Sequence, residues 1–318
     1  MAFVAAVVAT GSSAVASTTS TPMEHVESEP AVESLKPTGV MLIRLLAHDL
    51  SPESLAGVGA EDAGRRALAW ARAVEASGAD PAAALGELLP PTAWFQARII
   101  GERDEPDLRS DARITSAYGR AYADILAVLD QAREAAPALE TAIETVWHSS
   151  GAGSDRPHDL SPVLARSDRW IPGRSALKYS HQYALDVFFT SVKRHGAAET
   201  GPAINSISSG IVVSTADDWD GGDKPSLYRS GGLSPNAGNG VIIYDPDRHQ
   251  YYVYLHLKSV GVRVGQMVAS GQSLGLGGNT GVNARKKNHG THVHIEIHDA
   301  EKGAWSSYRI RDLLLSIQ

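Results

Sequence analysis

Thr291-His292-Val293-His294-Ile295-Glu296-Ile297-His298 sets β-branched residues at every second position and imidazole or carboxylate groups between them. That alternation is the period of a β-strand, with the aliphatic set on one face and His292, His294, Glu296 and His298 on the other. The first two imidazoles then project from the same side, about 6–7 Å apart along the chain, so that one can bind a metal while the other reaches its water or a substrate. Gly290, just upstream, permits an unusual backbone path into the strand. Alone, a His-x-His pair does not identify a metal site, because two strand residues can equally serve separate partners.

Upstream of this strand the texture is that of a mainly antiparallel β domain over 168–318. Short β-branched or aromatic runs stand at Ala184–Phe189, Ile207–Ser214, Gly240–Tyr244, Tyr251–Leu257 and Gln272–Leu276. Turn clusters such as Asp220-Gly221-Gly222-Asp223, Asp245-Pro246-Asp247 and Gly277-Gly278-Asn279-Thr280-Gly281 separate them. Two of the runs carry ionisable groups. Asp186 sits inside Ala184–Phe189, where an unpaired charge would be costly, so it requires a cation: a metal, or an arginine such as Arg174. His181 precedes it by five residues, and His256 closes the segment Tyr252–Leu257.

Residues 39–150 read as a helical domain. Ser51-Pro52 and Asp80-Pro81 each place a capping residue before a proline at the first helical position. Tyr118, Tyr122, Ile125, Leu129 and Ala132 form an apolar stripe at helical spacing, continued by Leu139, Ile143 and Val146 after Pro137, where the helix is expected to restart. Residues 149–167 read as a linker. The fold class is therefore α+β, with two domains. Residues 1–38 form a separate segment: Met1–Ala16 resembles a short export signal ending in Ala14-Val15-Ala16, although it lacks a basic start, and 17–38 is a Ser/Thr/Pro/Glu-rich linker. The expected location is secreted, periplasmic or cell envelope.

Composition narrows the chemistry. The chain has no cysteine, which excludes thiolate metal sites, disulfides and a cysteine nucleophile, so a metal must be held by nitrogen and oxygen ligands. The formal charge of −7 is uneven: residues 161–318 carry 17 Lys and Arg against 13 Asp and Glu, while the remainder carries 12 against 23. The basic half suits an anionic polymer and the acidic half does not. No nucleic-acid partner is expected, and no stretch reaches the roughly 18 apolar residues of a membrane span.

Taken in order, His181…Asp186, Tyr254-Leu255-His256-Leu257, Val264–Gln272, Gly278-Asn279-Thr280-Gly281 and His292-Val293-His294 resemble the motif series of the lysostaphin-type zinc metalloendopeptidases. The resemblance covers about residues 175–300 and implies a lysostaphin-type peptidase fold, a single Zn2+ ion and a peptidoglycan peptide as substrate. By the same resemblance His181, Asp186 and His294 would be the metal ligands, and His256 and His292 the catalytic histidines that do not bind metal. Three protein ligands leave a fourth tetrahedral position for water, as in catalytic zinc sites.

Two departures from the family pattern stand out. The commoner first motif is His-x-x-x-Asp, whereas here the spacing is one residue longer; positions five apart in one strand face opposite ways, so His181 is expected in a loop or bulge before the strand. Val282–His289 is also longer than usual, and its Arg285-Lys286-Lys287 cluster is expected to be an exposed loop; His195, His249 and His289 are read as surface residues. Residues 1–204 contain no asparagine, so a segment blocking the metal through that side chain is excluded there, and contact of the helical domain with the peptidase groove would have to use other groups or bulk. The rival readings are a non-catalytic cell-wall or division-complex adaptor that keeps the fold, which would be expected to have lost some of these five residues, and an iron(II) facial-triad enzyme.

Overall fold

A computed structural model describes residues 37–90, 94–99, 112–151, 159–165, 168–178, 182–189, 201–287 and 289–317. Residues 1–36, with the signal-like segment, and also His181 and His195 lie outside the described residues. Pro37–Gln318 is one compact unit.

Helices α1 (Pro37–His48), α2 (Ala60–Ala76) and α3 (Ala112–Ser149) precede the strands, and α4 (Ser307–Ser316) follows them. The two proline signals mark real caps: the Ser51 side chain accepts from Ser54 N and the Asp80 side chain from Ala82 N, although each opens only a four-residue helical turn. The stripe on α3 is core, with Ile125, Leu129, Ala132, Leu139, Ile143 and Val146 buried. Tyr118 and Tyr122 have side chains outside the described residues. The expected restart at Pro137 does not occur. The helix runs 38 residues through it. A proline costs a helix interior about 3 kcal/mol, and here buried residues on both sides of Pro137, Ala135 and Ala136 before and Ala138 and Leu139 after, hold the axis in place.

The strands are β1 (Arg169–Trp170), β2 (Leu185–Phe189), β3 (Ala203–Asn205), β4 (Gly210–Ala216), β5 (Asn239–Asp245), β6 (Gln250–Val260), β7 (Met267–Val268), β8 (Ser273–Gly277), β9 (His292–Asp299) and β10 (Gly303–Ala304). All pairings are antiparallel, in the order β1-β2-β9-β6-β5-β4-β7, with β10 on β9 and β8 joining β3 to β6. Six of these strands fall on the runs read from sequence. The two- and three-residue strands β1, β3, β7 and β10 were not anticipated, being too short to show a period.

Alternation assigns the two faces. Val293, Ile295 and Ile297 of β9, with Tyr252 and Tyr254 of β6 and Leu185 and Val187 of β2, join Ile310 and Leu314 of α4 in one apolar cluster. The opposite face carries Tyr251, Val253 and Leu255, which share a second cluster with Trp70, Phe95, Leu129 and Trp147 of the helical region. The segments expected as separate helical (39–150) and β (168–318) domains thus share a core, and the sheet lies between helical layers. Polar groups fasten the contact: Glu140 of α3 accepts from the Tyr251 hydroxyl at 2.7 Å and pairs with Arg98 at 3.3 Å. Glu144 bonds the Tyr244 hydroxyl and, at 2.7 Å, His249. His249 is exposed as expected, but tied to α3.

Candidate active site

In β9, His292, His294, Glu296 and His298 form a buried polar row on the face that carries Tyr251, Val253 and Leu255. Register places the row directly: His294 lies opposite Asp186 of β2 and Leu255 of β6, Glu296 opposite Val253, and His298 opposite Tyr251. Opposed residues share a face, so Asp186 turns toward the histidines. Its Oδ1 lies 3.0 Å from His294 Nδ1, and its Oδ2 lies 3.7 Å from His292 Nε2. Arg174, the alternative partner, is paired with Asp312 instead.

His256 reaches the same place by a different device. By strict alternation in β6 it would join Tyr252 and Tyr254 on the opposite face. Register shifts here: Gly240 pairs with Leu255 and Asn239 with Leu257, which leaves His256 as the extra residue of a β-bulge. Its φ of 65° is a left-handed conformation that non-glycine residues adopt rarely, and almost always where the surroundings enforce it. The imidazole then stands 4.9 Å from the His292 ring and 5.6 Å from the His294 ring, centroid to centroid. The turn flagged in the sequence holds it. Thr280 accepts from Asn239 N at 2.9 Å through Oγ1, donates to the Leu257 carbonyl at 2.8 Å, and offers its own carbonyl to His256 Nδ1 at 2.8 Å. Gly281 is needed beside it, because a Cβ there would lie 2.3 Å from the Asn236 carbonyl oxygen and 3.0 Å from His256 Nδ1.

These partners decide the tautomers. A carbonyl can only accept, so Nδ1 carries the proton in His256 and likewise in His292, whose Nδ1 faces the Gly290 carbonyl at 3.2 Å. Both Nε2 atoms are left with a free lone pair. Burial, reinforced by the neighbouring histidines, holds His256 well below the ordinary histidine range, and burial outweighs Asp186 in lowering His292. Both are therefore neutral bases near pH 7. His294 differs. Burial lowers it, but hydrogen bonds to Asp186 and Glu296 carry it up to about 9. Its Nε2 donates to Glu296 Oε1 at 3.0 Å, and Glu296 Oε2 takes His298 Nε2 at 2.8 Å.

Four of the five residues expected from sequence, Asp186, His256, His292 and His294, therefore come together. The stretch 182–184 is not strand, so no unbroken strand runs from the region of His181 through Asp186. Glu296 and His298 were read only as sharing the face, and their contact with His294 and with each other is the group that parity alone did not define. His289 is exposed, yet its ring lies 6.3 Å from that of His292. Arg285, Lys286 and Lys287 are exposed as expected, with the Arg285 guanidinium 5.4 Å from the Trp219 ring centre.

Residues 195–305 match the family model for peptidase family M23. That segment, about a third of the chain, is similar to family M23. The matched span contains His256, His292 and His294 and stops short of Asp186. No curated protein matches the chain. Among solved structures it is similar to a zinc-containing peptidase from Vibrio cholerae, with 22% identity over 48% of this chain and 40% of that one and a TM-score of 0.33. It is also similar to the catalytic domain of the antimicrobial peptidase lysostaphin from Staphylococcus simulans, with 19% identity over 50% and 92% and a TM-score of 0.29. A chain of the SpoIIQ–SpoIIIAH pore-forming complex gives 18% identity over 48% and 90%, with a TM-score of 0.32. The chain spans less than half the length of the Vibrio peptidase.

Among the described residues, no group of three or more His, Cys, Asp or Glu side chains is arranged to hold a metal ion. The donor chemistry nevertheless suits zinc. Asp186 Oδ1 and His294 Nδ1 face each other at 3.0 Å, as an oxygen and a nitrogen donor converging on one point. Glu296 fixes the far nitrogen of His294, the carboxylate-to-histidine support that orients a ligating imidazole. A third ligand would have to come from outside the described residues, where His181 lies.

Proposed function

We propose that the chain is a zinc-dependent endopeptidase that hydrolyses peptide bonds in bacterial peptidoglycan after export to the cell envelope. The observation that carries the reading is the convergence of Asp186, His256, His292 and His294 on one face of the sheet, three of them inside the M23 segment.

In this reading His181, Asp186 and His294 hold the ion, and His256 and His292 do not. When bound, zinc would lower the pKa of a coordinated water and polarise the scissile carbonyl. The chain's own groups do the rest. Glu296 accepts from His294 Nε2 and so sets its ring plane, which leaves His294 Nδ1, facing Asp186 Oδ1, for the ion. Thr280 and Gly290 keep the Nδ1 protons of His256 and His292 in place, which directs both Nε2 lone pairs into the site. As water attacks the carbonyl carbon, one of these imidazoles takes its proton at Nε2. That imidazolium then gives the proton to the leaving amine as the C–N bond breaks. The second imidazole lies within 5 Å, ring to ring, and is placed to shape the pocket around the tetrahedral oxygen.

The test is digestion of purified peptidoglycan by the full chain, with and without a chelator, followed by mass spectrometry of the soluble products. The expected products are peptides with new amino and carboxyl ends, absent when the chelator is present. Release of glycan fragments alone, or of nothing, would overturn the assignment.

A further inference from the structure

A buried polar row runs on from the proposed metal centre along β9. His294, Glu296 and His298 are 7%, 4% and 6% exposed. Same-face neighbours in a strand stand about 6–7 Å apart, and Glu296 spans the gap on either side of it. Its Oε1 accepts from His294 Nε2 at 3.0 Å, and its Oε2 accepts from His298 Nε2 at 2.8 Å. No step assigned to the site above uses His298.

His298 is built in as an anchor. Its backbone is paired on both sides, with Tyr251 of β6 and with Ala304 of β10. The Tyr251 hydroxyl is bonded to Glu140, and Arg98 bonds the Ala300 carbonyl just beyond His298. Glu296, by contrast, reaches its partners through a long side chain whose last torsion is soft, so contact with His294 alone would leave the carboxylate plane free to turn. The second imidazole fixes that plane. A ligating nitrogen must offer a lone pair. A proton held on His294 Nε2 therefore commits Nδ1, the nitrogen facing Asp186 Oδ1 at 3.0 Å, to the ion.

We infer that His298 is a positioning residue for the metal centre: through Glu296 it fixes the ring plane of His294 and the nitrogen that His294 presents. This role depends on the proposal that His294 is a ligand.

The test uses the full chain, stripped of metal and titrated with zinc against a chromophoric chelator of known affinity. His298→Phe fills nearly the same space without a donor and should weaken zinc binding about 10–100-fold, the usual cost of losing an outer-shell partner. His298→Gln returns an amide N–H near the position of the ring Nε2 and should recover most of that loss. Glu296→Met should weaken binding at least as much as His298→Phe. Combining the two should cost little more than Glu296→Met alone, because the side chains act as one link. Melting curves of the metal-free proteins identify a variant that does not fold, and His298→Leu replaces His298→Phe if the phenyl ring is not accommodated. With zinc bound by the wild type, an unchanged affinity in His298→Phe, no recovery in His298→Gln, or additive losses in the double variant would overturn the role of His298 and leave the ligand set standing. A wild type that binds no zinc would overturn both.

Discussion

Replacing His294 with alanine is expected to remove peptidoglycan hydrolysis altogether, whereas replacing His292 should lower it by about 10²–10⁴-fold, the usual contribution of one general acid–base group. The difference follows from the partners. His294 is held on both nitrogens by carboxylates, Asp186 at 3.0 Å and Glu296 at 3.0 Å, and is proposed as a ligand. His292 has Nδ1 tied to a backbone carbonyl and Nε2 unengaged apart from Asp186 at 3.7 Å, the arrangement of a proton acceptor. His294→Ala also leaves Asp186 and the buried Glu296 without the imidazole they share, so it should unfold at a lower temperature than His292→Ala. Rates of peptide release, with melting curves for both variants, check the ordering. Full lytic activity in either variant would refute its role.

Arg98→Ala is expected to destabilise the folded chain by about 3–5 kcal/mol, the cost of stranding one member of a buried ion pair. That is a large share of the 5–15 kcal/mol that holds a typical domain together. Arg98 and Glu140 are 8% and 9% exposed at the side chain, and Glu140 also accepts from Tyr251 of the sheet, so the loss falls on the junction between helices and sheet. The pH dependence has a definite sign. Burial raises the Glu140 carboxyl above its ordinary value in spite of Arg98. The native state therefore keeps this proton to higher pH than the unfolded chain does, and the contribution of Glu140 to stability falls as pH rises from about 4.3 through the raised value. Without Arg98 that slope should steepen. Denaturant titrations of both proteins at neutral and mildly acidic pH measure it, and the variant should be closest to wild type at the acidic end.

The sheet was legible to the extent that its strands alternate. β9 shows this best: its period of two assigns His292, His294, Glu296 and His298 to one face without reference to any neighbour, and the register with β2 and β6 confirms it. His256 was not legible in the same way. Alternation puts it on the wrong face, and only the displaced pairing with Asn239 and Gly240 turns it round. A bulge is a property of two strands, so no single run of residues announces it; the nearest sequence signal is the Gly-Asn-Thr-Gly turn whose Thr280 carbonyl receives the ring. Pro137 misled for a related reason. Its local cost is real, but the packing that offsets it comes from outside the helix. The docking of α3 on the sheet rests on Tyr244 and Tyr251, which read from sequence as strand aromatics. Nothing local says that their hydroxyls meet Glu144 and Glu140 about a hundred residues earlier.

The zinc content of the chain after exhaustive dialysis, measured by plasma mass spectrometry for the wild type and for Asp186→Ala and His181→Ala variants, tests the metal-centre account most directly. One zinc per wild-type chain and background levels in both variants are the predicted result. A wild type without zinc, or a His181→Ala chain that keeps it in full, would contradict the proposed ligand set.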